Sequence, residues 1–374
     1  MKSVKRVLLA VVMAVGILTG TSFGEETKAG SMTVDEIKSA LGLSIYLQGG
    51  YTYNFKDPDS GENALRVFDH EANSFTVDLA QLVFTKDAPV GGVGFKLKLS
   101  AGETAKFIHA AGLGSPGDEF DLTEAYIDYV APLGKGLKFR FGKFATMHGA
   151  EVIEARDDMN YSRGLLFNYA IPFTHTGLMV SYPFSDKVSG SFYVVNGWDN
   201  FDDEGNSKTL GLSASVVPSE QVSLVLNLMN GREVSVNNPG DTTRFLADLV
   251  ATVKPLKNLT VVVNGDYAKQ NNDAPDGDDA KWYGIAGYVK YDFSDLFSAA
   301  VRGEYFKDDD GVRTGVEQEV KELTITPEFR VAKNLIIRPE YRHDWSDKEV
   351  FPSGDGTLDR KSQDTIALGV MYTW

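Results

Sequence analysis

The chain ends on DTIALGVMYTW, Asp364–Trp374. Ile366, Leu368, Val370, Tyr372 and Trp374 share one parity, while Thr365, Ala367, Gly369 and Thr373 are polar or small and share the other. Period-two alternation of this kind is a β-strand with one apolar face. In a soluble domain, an edge strand tipped with Trp would invite aggregation. A transmembrane barrel has a use for it: the last strand pairs with the first, and its terminal aromatic sits at the membrane interface. Tyr372 and Trp374 also resemble the C-terminal assembly signal read by the bacterial barrel-assembly machinery, which more often ends in Phe. Taken alone, the stretch leaves the final strand of a β-sandwich open as an alternative.

Sixteen segments of this type can be counted from Leu43 onward. Leu43–Phe55 opens the series with Leu43, Ile45, Leu47, Tyr51, Tyr53 and Phe55 on one parity. Ser74–Lys86 is less regular, with an ambiguous register around Gln81. Leu335–Trp345 alternates Leu335, Ile337, Pro339, Tyr341 and Trp345 with Arg338, Glu340, Arg342 and Asp344. The connections sort themselves. Asp87–Gly92, Ala131–Gly136, Ser185–Lys187, Pro218–Gln221, Lys254–Asn258, Ser294–Leu296 and Ala332–Asn334 are short and rich in turn-forming residues. The joins between them, such as Lys56–Asn73, Gly102–Asp121, Phe144–Thr176 and Ser346–Gln363, are long. Strict alternation of short and long connections predicts an all-β, up-and-down antiparallel transmembrane barrel of 16 strands, residues 43–374, with periplasmic turns and extracellular loops.

The N-terminus agrees with export. Lys2, Lys5 and Arg6 precede an apolar run, Val7–Leu18, and Ser22-Phe23-Gly24 offers small residues for cleavage. This predicts a signal peptide over 1–24, since the run falls short of the roughly 20 apolar residues of a membrane span. Residues 25–42 would form a periplasmic segment with a short helix at Met32–Leu41, where Thr33 and Glu36 match a capping box. The net charge of −15 argues against a nucleic-acid partner. With no cysteine available, the fold must close by other means than disulfides.

The apolar parity has no second sheet to cover it, so lipid is its partner, and in lipid a sheet must close. The other parity is polar and includes Lys138, Arg140, Asp248, Asp266, Arg302, Glu304, Glu328, Arg330, Arg338, Glu340 and Arg342. Sixteen strands leave an aqueous lumen that such a wall can line. The third long connection, 144–176, is expected to fold inward as a constriction. It carries Glu151, Glu154, Asp157, Asp158 and Arg163. Lys138, Arg140, Arg302, Arg330, Arg338 and Arg342 are the expected basic wall. Facing acidic and basic rows would set a transverse field selecting solutes by charge.

The same connection carries a family resemblance. Gly142-Lys143-Phe144, Gly149-Ala150-Glu151, Asn160-Tyr161-Ser162-Arg163, Pro172 and His175-Thr176-Gly177 resemble the pattern of the OmpL-like group of beta-barrel porins. The resemblance implies a bacterial outer-membrane porin of no defined substrate, and passive diffusion of small hydrophilic solutes through a charge-selective lumen is the function expected from the whole reading. Analogy with other sixteen-stranded porins suggests a homotrimer embedded in lipid and lipopolysaccharide.

Other motifs carry less. Gly112–Gly117 matches G-x-G-x-x-G but is followed by no helix pattern. The acidic runs Asp202-Asp203-Glu204, Asp276–Asp279 and Asp308–Asp310 lack EF-hand spacing, so no metal and no cofactor is expected. His70, His109, His148, His175 and His343 sit in no recognisable nucleophile constellation, which leaves an outer-membrane hydrolase as the weakest reading. A plugged structural or adhesive barrel is the stronger alternative to a diffusion channel.

Overall fold

A computed structural model describes residues 42–374 except 204–206, 236 and 238–240. The signal peptide and the helix expected at Met32–Leu41 lie outside the described residues. The barrel strands begin with β1 Leu43–Asn54, β2 Ser74–Lys86, β3 Val93–Ala101, β4 Phe120–Ala131, β5 Leu137–Ala145, β6 Thr174–Pro183, β7 Val188–Val195 and β8 Thr209–Ser219. They continue with β9 Val222–Val234, β10 Asp241–Leu256, β11 Leu259–Gln270, β12 Ala280–Asp292, β13 Phe297–Asp308, β14 Gln318–Ala332 and β15 Leu335–Ser346. A small hairpin, β16 Phe351–Pro352 and β17 Leu358–Arg360, stands in the last long loop, and β18 Ser362–Thr373 completes the wall. A short helix, α1 (Glu103–Ile108), lies in the second long loop.

Each barrel strand pairs antiparallel with its neighbours, and β18 pairs with both β15 and β1, so the sheet is closed. The seam ends on the last residue: Trp374 N donates to Ile45 O at 2.9 Å, and Ile45 N donates to Trp374 O at 2.8 Å. Along β18, Ile366, Leu368 and Val370 point outward, while Gln363, Thr365, Ala367 and Met371 are buried inside. The same sorting holds on β13, where Val301 faces out and Arg302 and Glu304 face in. This division follows from the side-chain period of two, which sends alternate residues to opposite faces. Gln81, at the ambiguous register, points inward, and the β1–β2 pairing shifts between Gln48 and Gly50. Aromatic rings gather where strands meet the short turns. Tyr291, Phe293, Phe297 and Phe329 form a chain of neighbouring rings 4.7–5.2 Å apart.

One interruption in the wall has a covalent cause. Pro327 on β14 and Pro339 on β15 stand opposite one another, between the pairs Ile325–Tyr341 and Phe329–Ile337. Neither has an N–H to give to the ladder. Flanking them inside are Thr326, Glu328, Arg338 and Glu340.

The outward assignment is testable at Ile285, exposed near the middle of β12. Ile285→Arg should cost about 2–4 kcal/mol for a cation near the bilayer midplane. Urea unfolding in lipid vesicles measures it, and an unchanged midpoint would contradict a lipid-facing position.

Candidate functional site

The loop that follows β5, residues 146–173 and here called L3, crosses the interior of the barrel. Its sequence explains why it does not stay in water. Ile153, Leu165, Leu166, Phe167, Ala170 and Ile171 are all buried, clustered with Phe68 from the first long loop. Fully burying a large aliphatic or aromatic side chain contributes about 1.5–3 kcal/mol, so this segment brings a hydrophobic core of its own. Its only regular structure is a 3₁₀ turn at Ala155–Asp157 and a π-helical turn at Leu166–Ala170. Most of its backbone polar groups therefore need partners from elsewhere.

The wall supplies them. Arg338 donates to the carbonyls of Ala155 (2.5 Å), Asn160 (2.8 Å) and Asp158 (2.7 Å). Arg342 donates to Arg163 O at 2.7 Å, and Arg302 to Ser162 O at 2.6 Å. Glu340 accepts from the amides of Tyr161 (2.6 Å) and Ser162 (3.0 Å), and Glu304 accepts from that of Leu165. Further round, Asn227 donates to Met147 O at 2.7 Å, Asn264 accepts from Ala150 N at 3.1 Å, and Trp282 donates to Ala170 O at 3.2 Å. The wall arginines keep partners on their own sheet as well: Arg302–Glu322 at 2.9 Å, Arg338–Glu328 at 2.6 Å and Arg342–Asp344 at 2.8 Å. A planar guanidinium with five N–H groups can serve a carboxylate on one edge and carbonyls on another.

One aromatic ring fits the loop to the seam. Gly50 on β1 pairs with Gly369 on β18, and Tyr161 lies over both. A Cβ on Gly50 would lie 2.0 Å from the Tyr161 hydroxyl oxygen, and one on Gly369 would lie 2.3 Å from the ring. The Tyr161 hydroxyl donates to Asp78 at 2.7 Å.

The acidic residues of L3 do not form a row. Glu151 reaches the basic wall, at 2.7 Å from Arg302. Asp158 instead faces Arg163 of the same loop at 3.8 Å, and burial followed by the charge of Glu151 raises its carboxyl well above the usual range. Arg163 also donates to Tyr161 O and Ile153 O, so it closes the loop on itself. Glu154 points the other way, to Lys98 on β3 at 2.7 Å and Gln81 on β2 at 2.7 Å. Burial alone would raise Glu154, but Lys98 outweighs it and holds the carboxyl at about 2. Asp157 is exposed beside Arg156. Of the other expected wall residues, Lys138 and Arg140 pair with Asp128 on β4, and Arg330 is 40% exposed near the β14–β15 turn, beside Glu328 and Asp292. None of these three makes an ion pair with L3 among the described residues. Thus Arg302, Arg338 and Arg342 are in direct contact with L3, and no water-filled gap separates opposed rows there, because the loop's own carbonyls and Glu151 occupy the guanidiniums.

On the side of β2–β4 a cavity of about 420 Å³ remains. Lys96, Lys98 and Glu124 line it from the wall, and Glu154, Arg156 and Asp157 from the loop. Lys96 and Glu124 pair at 2.6 Å. Lys96 and Lys98 fall on the polar parity of their strand in the sequence, whereas the register at Gln81 is ambiguous there, and nothing in the sequence marks these strands as the ones facing Glu154. Two of the histidines contact hydroxyl groups: His148 Nε2 lies 2.9 Å from the Tyr193 hydroxyl, and His175 Nε2 lies 3.0 Å from Thr146 Oγ1. Burial, then the neighbouring His175, pull His148 down to about 3, which keeps it neutral at pH 7.

Comparison with known proteins places this geometry. Among solved structures, the chain resembles an anion-selective porin from Comamonas acidovorans (TM-score 0.63, 12% identity, covering 89% of this chain and 98% of that one). It also resembles the outer membrane channel DcaP of Acinetobacter baumannii (TM-score 0.57, 14% identity, 89% and 96%). A third likeness is to a trimer form of OmpT from Vibrio cholerae (TM-score 0.58, 12% identity, 89% and 98%). At such identities the likeness is one of fold. A search of functionally curated proteins finds no match. The sequence model of one family matches residues 40–374, the whole of the barrel and the residues just before it. The chain belongs to the Putative beta-barrel porin-2, OmpL-like family, whose members are outer-membrane porins.

Proposed function

We propose that this porin carries out passive diffusion of small hydrophilic solutes, with L3 narrowing the lumen and the cavity between L3 and β2–β4 as the path left open. The observation that supports this most is the placement of L3. Its bonds to β9 and β11–β15 hold it against one side of the wall, and the charged cavity lies on the other. Selectivity by charge would then arise from Lys96, Lys98, Glu124, Glu154, Arg156 and Asp157, with Glu151, Asp158 and Arg163 holding the loop. Residues 1–24 would be the cleaved export signal, and Tyr372 and Trp374 the residues presented to the barrel-assembly machinery. A homotrimer in lipid and lipopolysaccharide completes the proposal, by analogy with the OmpT trimer form. A plugged barrel is the second reading, favoured by how completely L3 is buried and bonded.

Planar-bilayer recording of the refolded chain under a salt gradient decides between the two. Discrete conductance steps are expected. Silence from an inserted, folded protein would favour the plug. Glu154→Gln with Asp157→Asn should shift the reversal potential toward anions, because Lys98 loses its counter-charge in the cavity. An unmoved potential would remove that cavity from the path.

Arg338→Ala removes the closest of the three cations around Glu328 and the side-chain donor to three L3 carbonyls, while Lys290 and Arg330 stay beside the carboxylate. Each lost hydrogen bond from the charged donor is worth about 1.5–3 kcal/mol, so L3 loosens, and larger, noisier single-channel steps are expected. A variant with wild-type steps would show that L3 does not depend on this residue.

The contact of Glu154 with Lys98, which latches L3 to β3, also has a pH signature. The folded pKa of about 2 lies below the ordinary value of 4.5, so its stabilisation is complete above that value and is lost as pH falls toward 2. Wild-type channels should therefore change conductance between about pH 4.5 and 2, and Glu154→Gln channels should lack that component; equal profiles would contradict the latch.

A further inference from the structure

Four side chains at the long-loop end of the lumen form a cluster that plays no part in holding Glu151 or Glu154. Trp198 belongs to the loop after β7, Arg244 to the start of β10, Trp282 to the start of β12 and Arg313 to the loop after β13. The two indoles meet edge to face with ring centroids 6.2 Å apart. Arg244 lies 4.8 Å from the Trp198 ring and 5.7 Å from the Trp282 ring. Arg313 lies 5.1 Å and 5.3 Å from the same two rings. The cluster rests on the last turn of L3, through Trp282 to Ala170 O and through Arg313 Nε to Tyr169 O at 2.6 Å.

Two guanidiniums beside one pair of rings repel each other. Burial and then the charge of Arg244 pull Arg313 down to about 10, so it remains charged at pH 7. The other buried arginines of the interior avoid such an arrangement. Arg66, Arg163, Arg302, Arg338 and Arg342 each lie within 4.0 Å of a carboxylate. Among the described residues, neither Arg244 nor Arg313 makes an ion pair. Asp199, Glu233, Asp273 and Asp308 act on them only at longer range than an ion pair and accept hydrogen bonds from other groups. Asp199 accepts from the amides of Phe173 and Thr174 at 2.7 and 2.8 Å. Glu233 accepts from Trp198 N and Thr209 Oγ1, and Asp308 from the amides of Arg313 and Thr314. Arg244 spends only Nε, on Gln270 at 2.6 Å, and Arg313 only Nε, on Tyr169. The terminal nitrogens of both have no protein acceptor among the described residues. Both side chains are half-buried, and neither pair of terminal nitrogens is sealed from solvent. Stacking on indole orients a guanidinium without using its N–H edge, and paired N–H groups match the oxygens of a carboxylate or phosphate.

We propose that Trp198, Arg244, Trp282 and Arg313 form an oxyanion-binding station above L3, taking the carboxylate or phosphate group of a small solute before it reaches the narrow cavity. The proposal rests on the reading that solutes enter the lumen from the long-loop end.

Intrinsic fluorescence tests it directly, since the chain has only four Trp and two are in the station. The full barrel, refolded in detergent, is titrated with inorganic phosphate and separately with succinate, at constant ionic strength set by chloride. A saturable change in Trp emission is expected with at least one of them, and which one responds names the group the station takes. Arg244→Gln with Arg313→Gln should abolish it while heat-modifiable gel mobility still reports a closed barrel. Should that pair fail to fold, Arg313→Lys, a loop substitution that keeps the charge and loses the paired N–H edge, should weaken binding at least about tenfold. No saturable change in the wild type, or the same change in the folded variants, overturns the station. The readout needs no ion flow: binding with silent channels supports the station while the diffusion reading fails, and open channels without binding do the reverse.

Discussion

The interior of this barrel depends on guanidinium groups bonded on two sides at once. Arg302, Arg338 and Arg342 project from β13 and β15, each with a carboxylate of β13–β15 on one edge and backbone carbonyls of L3 on another. Taken out of water singly, each charge would be costly. Held this way, each replaces lost hydration with fixed acceptors, and L3 obtains donors for carbonyls that its irregular backbone cannot satisfy internally. Non-helical backbone at membrane depth is tolerated only when protein or a water-filled cavity surrounds it, and here those side chains are what surrounds it.

That arrangement changes the electrical character of the lumen. Charges that could have faced each other across water are neutralised by contact along the β13–β15 wall. On the proposed path, the field that a solute meets comes from the Lys96–Glu124 and Lys98–Glu154 pairs with Arg156 and Asp157 beside the cavity, and from the Trp-bound arginines above it. The two regions differ in kind. Near the cavity, opposite signs alternate at short range. Higher up, two like charges share a pair of indoles. Loop and wall are also mechanically continuous, since Tyr161 rests on the Gly50–Gly369 pair at the closing seam.

The fold was legible because each strand repeats the same binary message. Ile366, Leu368 and Val370 face out and Thr365 and Ala367 face in on β18, and the same parity is repeated round the wall, so local errors at Gln81 or at strand ends do not disturb the whole. Loop length carried the topology. The candidate site was legible only as an inventory. Glu151, Glu154, Asp157, Asp158 and Arg163 stand close together in sequence, which suggested one acidic row, yet they serve different elements: the β13 wall, the β3 wall, solvent and the loop itself. Arg330 shares its parity with Arg302 and Arg338 but lies too near the short-turn end to meet L3. Trp198, Arg244, Trp282 and Arg313 come from four separate elements, and no local pattern links them.

By itself, then, the sequence determined the closed sheet, its two faces and the order of short and long connections, because a period of two and a turn propensity are properties of neighbouring residues. Tertiary structure alone decided which charges meet. The height of a residue along the barrel axis and the path of L3 across the lumen depend on register, strand stagger and a loop core of Ile153, Leu165, Phe167 and Ile171, all of which join residues far apart in the chain.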